Sequence, residues 1–98
     1  MAVTLEQRGD GQFALQGELN LATVGTLWKE SVRLFQHQPP AWIDLAGVSH
    51  CDSAGVALLV EWLRQARTDG RDLKFANPTP QMQAIIKVTN LDALLPLA

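Results

Sequence analysis

Residues 42–62 read WIDLAGVSHCDSAGVALLVEW. The first four, Trp42-Ile43-Asp44-Leu45, form a short and mostly apolar run, the pattern of a buried strand. From Ser53 the period changes. Val56, Leu59, Val60, Leu63 and Ala66 recur at three- and four-residue steps and define one face of a helix running to Arg67. A strand that feeds directly into a helix is half of a crossover unit, so the next strand in the sheet is expected to run parallel to the first.

The elements on either side fit that unit. Val3 to Gln7 sets Val3 and Leu5 against Thr4 and Glu6, and Gln12 to Leu19 brings Phe13, Leu15, Gly17 and Leu19 to one side. Gly9-Asp10-Gly11 between them predicts a β-hairpin. Asn20 offers an N-cap to a helix carrying Val24, Leu27, Trp28, Ser31, Leu34 and Phe35 at helical spacing. Pro39-Pro40 ends it. Downstream, Asp69-Gly70 closes the second helix and Leu73 to Ala76 reads as another strand. Pro78 and Pro80 suit the start of a third helix, on which Met82, Ile85, Ile86 and Thr89 make a stripe and Lys87 lies near the C-terminal end. Leu91 to Leu97 contains Pro96 and is expected to be irregular.

The order is β-β-α-β-α-β-α. It predicts a small mixed α/β sheet with an antiparallel edge hairpin and parallel crossovers, built as one domain over residues 1–98. The pattern leaves open whether the helices cover one face or both.

Composition limits function. The chain is 47% hydrophobic and 18% charged, enough apolar material for a packed core. Its net charge of −2 offers no basic field for a phosphate backbone, so nucleic acid is not an expected partner. Anionic membrane surfaces are disfavoured for the same reason. The longest purely apolar run, Val56 to Val60, is far below the roughly 20 residues that cross a bilayer. MAVTLEQRGDGQ lacks a basic segment followed by an apolar one, so no signal peptide is expected. A single cysteine, Cys51, suits a reducing compartment. A cytoplasmic protein without direct membrane insertion is the expectation.

The polar knot His50-Cys51-Asp52-Ser53 holds the letters of a catalytic triad. Neighbours on an extended segment point to opposite sides, however, and a triad needs its members to converge. The serine also lacks the G-x-S-x-G elbow. No enzyme and no catalytic residue is expected. His50-Cys51 is one adjacent pair without a second cluster, so no metal is expected. No glycine-rich phosphate loop occurs, and no cofactor is expected.

Asp52 or Ser53 can cap the helix. A serine at a helix start can also take a phosphate, which the free N–H groups and the helix dipole favour and the Asp52 carboxylate opposes. Leu58 and Trp62 lie one turn apart beside the main stripe, so a protein-binding patch with an exposed Trp62 is the functional reading and a wide buried stripe its alternative. Trp28 lies on the stripe of its own helix and is expected in the core.

Three stretches, in order, resemble STAS domains, the fold of anti-sigma-factor antagonists and of the cytoplasmic ends of sulfate transporters. Gly17-Glu18-Leu19-Asn20-Leu21-Ala22-Thr23 resembles the family's G-E-[LI]-D-x-x-[TS] stretch, with Asn20 in place of the usual aspartate. Ile43-Asp44-Leu45-Ala46-Gly47-Val48 resembles its central strand, and Cys51-Asp52-Ser53-Ala54-Gly55-Val56 its D-[ST]-x-G loop and helix start. His50-Cys51 replaces a more apolar pair. Shortness, Leu27-Trp28-Lys29-Glu30 and Val56-Ala57-Leu58-Leu59 bring the chain nearest the small free-standing STAS subunits of ABC transporters that move phospholipid between the two membranes of Gram-negative bacteria.

The resemblance implies a non-enzymatic subunit at the inner membrane, bound to the cytoplasmic ATPase of a complex that includes a membrane permease. The alternative it implies is an anti-sigma-factor antagonist switched by phosphorylation of Ser53. Asp52, Ser53 and Gly55 are the positions the resemblance carries over, with Ser53 in the place of the regulatory hydroxyl. Ala54, Leu58 and Trp62 complete the expected partner-binding set.

Overall fold

The computed structural model describes residues 3–97. Four strands form one sheet in the order β1 (Val3–Gly9), β2 (Gln12–Leu19), β3 (Trp42–Cys51) and β4 (Lys74–Ala76). The first pair is antiparallel and the other two are parallel. Between them run α1 (Val24–His37) and α2 (Ser53–Thr68), and α3 (Pro80–Val88) follows β4. This is the element order expected from the sequence.

The hairpin turns at Asp10-Gly11, where Gly11 takes φ = 71°, a conformation that a side chain resists. Parallel pairing sets Phe13 beside Ile43 and Ile43 beside Phe75. All three are buried, together with Leu15, Leu19 and Leu45. Their row neighbours Gln12, Trp42 and Lys74 are exposed, as the two-residue period of a strand requires. Leu27 of α1, Leu59 and Leu63 of α2, and Met82 and Ile86 of α3 join the same buried cluster. The helices therefore pack on one face, and the other shows Gln12, Gln16 and Trp42 to water with the small Ala14 and Ala76 covered between their neighbours.

The helix starts are defined by side chains. Thr79 caps α3, its hydroxyl accepting from the Met82 N–H at 3.2 Å, with Pro80 in the first turn. Asn20 is not the cap of α1. Its Oδ1 accepts from the Ala22 N–H at 2.9 Å and closes a turn, and the helix begins only at Val24. Two residues, Leu21 and Ala22, are spent on that turn.

Two further details refine the sequence reading. Strand β3 is longer than the Trp42–Leu45 core and runs to Cys51, so it delivers the polar knot to its own end. The last stretch is more ordered than expected. A 3-10 turn at Leu91–Ala93 leads to Leu97, which bridges Phe75, and the Phe75 N–H donates to the Pro96 carbonyl at 3.0 Å. That contact shields the edge of β4.

Trp62 and Leu58 are the main correction. Trp62 is 2% exposed and Leu58 5% exposed, and both belong to the core cluster. The indole N–H of Trp62 donates to Ser31 Oγ at 2.9 Å, and Ser31 Oγ donates to the Trp28 carbonyl at 2.7 Å. Phe35 meets the indole edge-on, ring centroids 5.9 Å apart. The apolar stripe of α2 is wide because the helix packs on the sheet, on α1 and on α3 at once. Trp28 is half-buried and packs on the cluster from the α1 side. The expected exposed patch does not exist.

Candidate functional site

Strands β2 and β3 end together at the Leu19–Cys51 pair, and Asn20–Thr23 and Asp52–Ser53 follow them. Strand β4 stops earlier, at Ala76 opposite Asp44, and its continuation through Asn77–Thr79 leads to Gln81, which reaches the same edge at Cys51. In open α/β sheets this carboxyl edge is where ligands and partners meet the fold.

Asp52 is the centre of the edge. Its backbone is extended, and its Oδ1 accepts from the Gly55 N–H at 3.1 Å, which caps α2. Its Oδ2 accepts from the Leu21 N–H at 3.2 Å, and its own N–H donates to the Leu19 carbonyl at 3.2 Å. One residue thus ties the start of α2 to the end of β2 and to the loop beyond it. Of the two candidate caps, the aspartate takes the role. Ser53 is the first helical residue, exposed, and its hydroxyl makes no hydrogen bond to another described residue. Ala54 is half-buried beside it and Gly55 is fully covered.

His50 and Cys51 separate at the strand end. Cys51 faces the core and is fully buried, so His50 points to the other face, opposite Glu18. The Cys51 N–H donates to Gln81 Oε1 at 2.9 Å, which ties the first turn of α3 to β3. Burial pushes the Cys51 thiol up to about 11, with the Asp52 charge adding to the shift and a hydrogen bond at Val56 opposing it. Such a thiol is a poor nucleophile. Folded protein should show no fast reaction with a disulfide reagent at pH 8, and one thiol per chain should appear on unfolding. Rapid labelling of the folded chain would show instead that the strand end opens.

Asp44 sets the third loop. Its Oδ1 accepts from the Ala46 N–H at 2.9 Å and from Asn77 Nδ2 at 3.0 Å. These hydrogen bonds hold its carboxyl below the usual carboxylate range, with Arg8 adding a smaller attraction against slight desolvation. Asn77 has φ = 54°, a left-handed conformation that asparagine tolerates, and the tether to Asp44 fixes the turn into α3.

The arrangement does not converge on a reaction centre. Both Asp52 oxygens are engaged by backbone N–H groups, and no hydrogen bond joins His50 to Ser53 among the described residues. Among the same residues no three His, Cys, Asp or Glu side chains are placed to hold a metal ion. No described helix is long and apolar enough to cross a membrane. The sequence singles out Asp52, Ser53 and Gly55, and the structure adds Leu21, hydrogen-bonded to Asp52, and Gln81, hydrogen-bonded to Cys51, at this edge. An apolar residue in a polar turn was the available sign for Leu21. Nothing in the sequence pairs Gln81 with Cys51.

Sheet order, parallel crossovers and an exposed serine opening the helix after β3 agree with the STAS domain that the family model shows over residues 3–96. The fold is shared with solved structures. A Thermotoga maritima protein provisionally assigned as an anti-sigma factor antagonist superposes with a TM-score of 0.79 at 19% identity, over 96% of this chain and 83% of that one. The anti-sigma factor antagonist SpoIIAA in its unphosphorylated form gives 0.75 at 20% identity, over 99% and 88%. The Bacillus cell fate determinant SpoIIAA in its phosphorylated form gives 0.68 at 24%, over 99% and 91%. The family model described as the MlaB STAS domain matches residues 3–96, and the chain belongs to that family.

Proposed function

We propose that this domain is a non-enzymatic cytoplasmic subunit that binds the ATPase of an ABC-type phospholipid transporter and supports its assembly or activity. The observation that carries the reading is the carboxyl edge of the sheet in a chain of the MlaB family. Ser53 stands there exposed, on a frame that Asp52 holds rigid. A surface fixed before binding loses little conformational freedom on association, and a hydroxyl free of internal partners is available to another protein. The ATPase, in complex with its permease, then holds the domain at the inner membrane without insertion of the domain itself.

Pull-down with the purified ATPase subunit tests this. Ser53→Ala and Ser53→Glu are expected to stay folded and to weaken binding, the glutamate by tenfold or more, roughly 1.4 kcal/mol. Glutamate puts a bulkier side chain, whose charge must be desolvated, where the contact takes a small hydroxyl. Ser53→Thr keeps the hydroxyl and should keep binding. Wild-type affinity in all three variants would reduce Ser53 to a helix-start residue.

One observation favours a second reading, an anti-sigma-factor antagonist switched by phosphorylation. The Ser53 hydroxyl is open to a kinase, and a phosphate there adds about −1.5 to −2 charges next to Asp52. Phosphate transfer from ATP by an anti-sigma kinase, lost in Ser53→Ala, would select this reading over the first.

A further inference from the structure

We propose that Leu21 is the apolar anchor of the partner-binding edge, held out by Asp52 to enter an apolar pocket with a basic rim on the transporter ATPase. The proposal rests on the reading of the domain as an ATPase-binding subunit and names the residue that would dominate that contact.

Leu21 is 78% exposed. A single exposed leucine means little in itself, but this one does not sit in a loose loop. Its own N–H is held by Asp52 Oδ2 at 3.2 Å. On the near side the Leu19 carbonyl accepts from the Asp52 N–H, and the Asn20 N–H donates to Thr23 Oγ1 at 3.0 Å. On the far side the Ala22 N–H donates to Asn20 Oδ1 at 2.9 Å, and the Asn20 carbonyl accepts from the Thr23 and Val24 N–H groups at 3.0 Å. The Thr23 hydroxyl in turn donates to the Glu18 carbonyl at 2.9 Å. The N–H groups from Asn20 to Val24 are all engaged while the Leu21 side chain stands in water. An apolar side chain on a fixed support gains its full burial on binding with little ordering cost. Through Asp52, the support is continuous with Ser53.

Charge gives the partner's character. Segments 17–26 and 47–57 form the edge, segment 76–84 leads up to it and meets it at Gln81, and none contains a lysine or arginine. Their acids are Glu18 and Asp52. The complementary surface is a pocket for one leucine bordered by cations, so affinity should fall as salt rises.

The test is the affinity of the intact chain for the purified ATPase subunit, measured by titration at two salt concentrations. Leu21→Ala and Leu21→Asp should weaken binding by roughly 10- to 100-fold, and Leu21→Met should stay near wild type. Thermal unfolding of all three should match wild type, because Leu21 adds little to the core. Val88→Ala, at an 82% exposed position away from this edge, should bind normally. Wild-type binding with Leu21→Ala within twofold of it would overturn the anchor and leave the functional reading intact. Failure of the wild-type chain to bind the ATPase would overturn both.

Discussion

Trp62→Ala is expected to lower stability by about 3–5 kcal/mol, the usual cost of truncating a buried aromatic. For a domain of this size that is a fall in Tm of roughly 15 °C or more. Three losses combine. The indole is 2% exposed, so its removal opens a cavity where α1 meets α2. That cavity joins a groove of about 260 Å³ already lined by Trp28, Val32 and Phe35. The edge-on contact with Phe35, itself edge-on to Phe13 at 5.1 Å, disappears. Ser31, fully buried, loses the N–H that its Oγ accepts. Trp62→Phe separates these terms in part, because it keeps one six-membered ring in the core and drops the pyrrole part with its N–H. It should cost about 1 kcal/mol from the hydrogen bond, with a further small packing loss. Chemical denaturation of the two variants measures both. A Trp62→Ala midpoint within experimental error of wild type would mean that the indole is not core, and the patch expected from the sequence would return.

That residue also marks where the sequence is ambiguous. Periodicity reports which residues share a helix face and says nothing of how many neighbours the helix has. Alpha2 touches the sheet, α1 and α3, so its buried arc reaches Leu58 and Trp62. A helix lying on a sheet alone would have shown them to water. The strands were easier to read. Phe13 and Leu15 alternate at a two-residue period, Ile43 lies in a short apolar run, and glycine or proline turns bound the strands. Asp52-Ser53 was legible as a helix start because few residue types cap a helix. Which of the two would cap depended on backbone angles, and those are set by the approach of β2. The bonds from Asp52 to Leu21 and from Gln81 to Cys51 span 31 and 30 residues. No local pattern encodes contacts at that separation.

Gly55→Val is the second large effect, and it connects the fold to the site. A Cβ on Gly55 would lie 2.6 Å from the Leu19 carbonyl oxygen, 2.7 Å from Cys51 Sγ and 2.9 Å from Leu19 Cγ. The first of these atoms is backbone, engaged by the Asp52 N–H, and cannot swing aside. Even alanine forces α2 away from β2. Overpacking of this kind costs about 1–3 kcal/mol, and valine, with two further methyl groups in the same space, belongs at the upper end or beyond. The displaced helix start carries Asp52 and Ser53 with it, so the Asp52 bonds to Leu21 and Gly55 lengthen together. Two measurements on Gly55→Ala, the milder variant, divide the consequences. Thermal unfolding should fall by roughly 5–20 °C. Partner affinity, measured well below that midpoint where the chain is still folded, should fall more than tenfold, because Ser53 and Leu21 no longer share one rigid frame. Lower stability with unchanged affinity would mean that the edge tolerates a shift of α2, and the rigid frame would not be what the partner reads. Glycine is required here by the closeness of β2 to the helix, and that closeness lets one aspartate hold both halves of the binding edge.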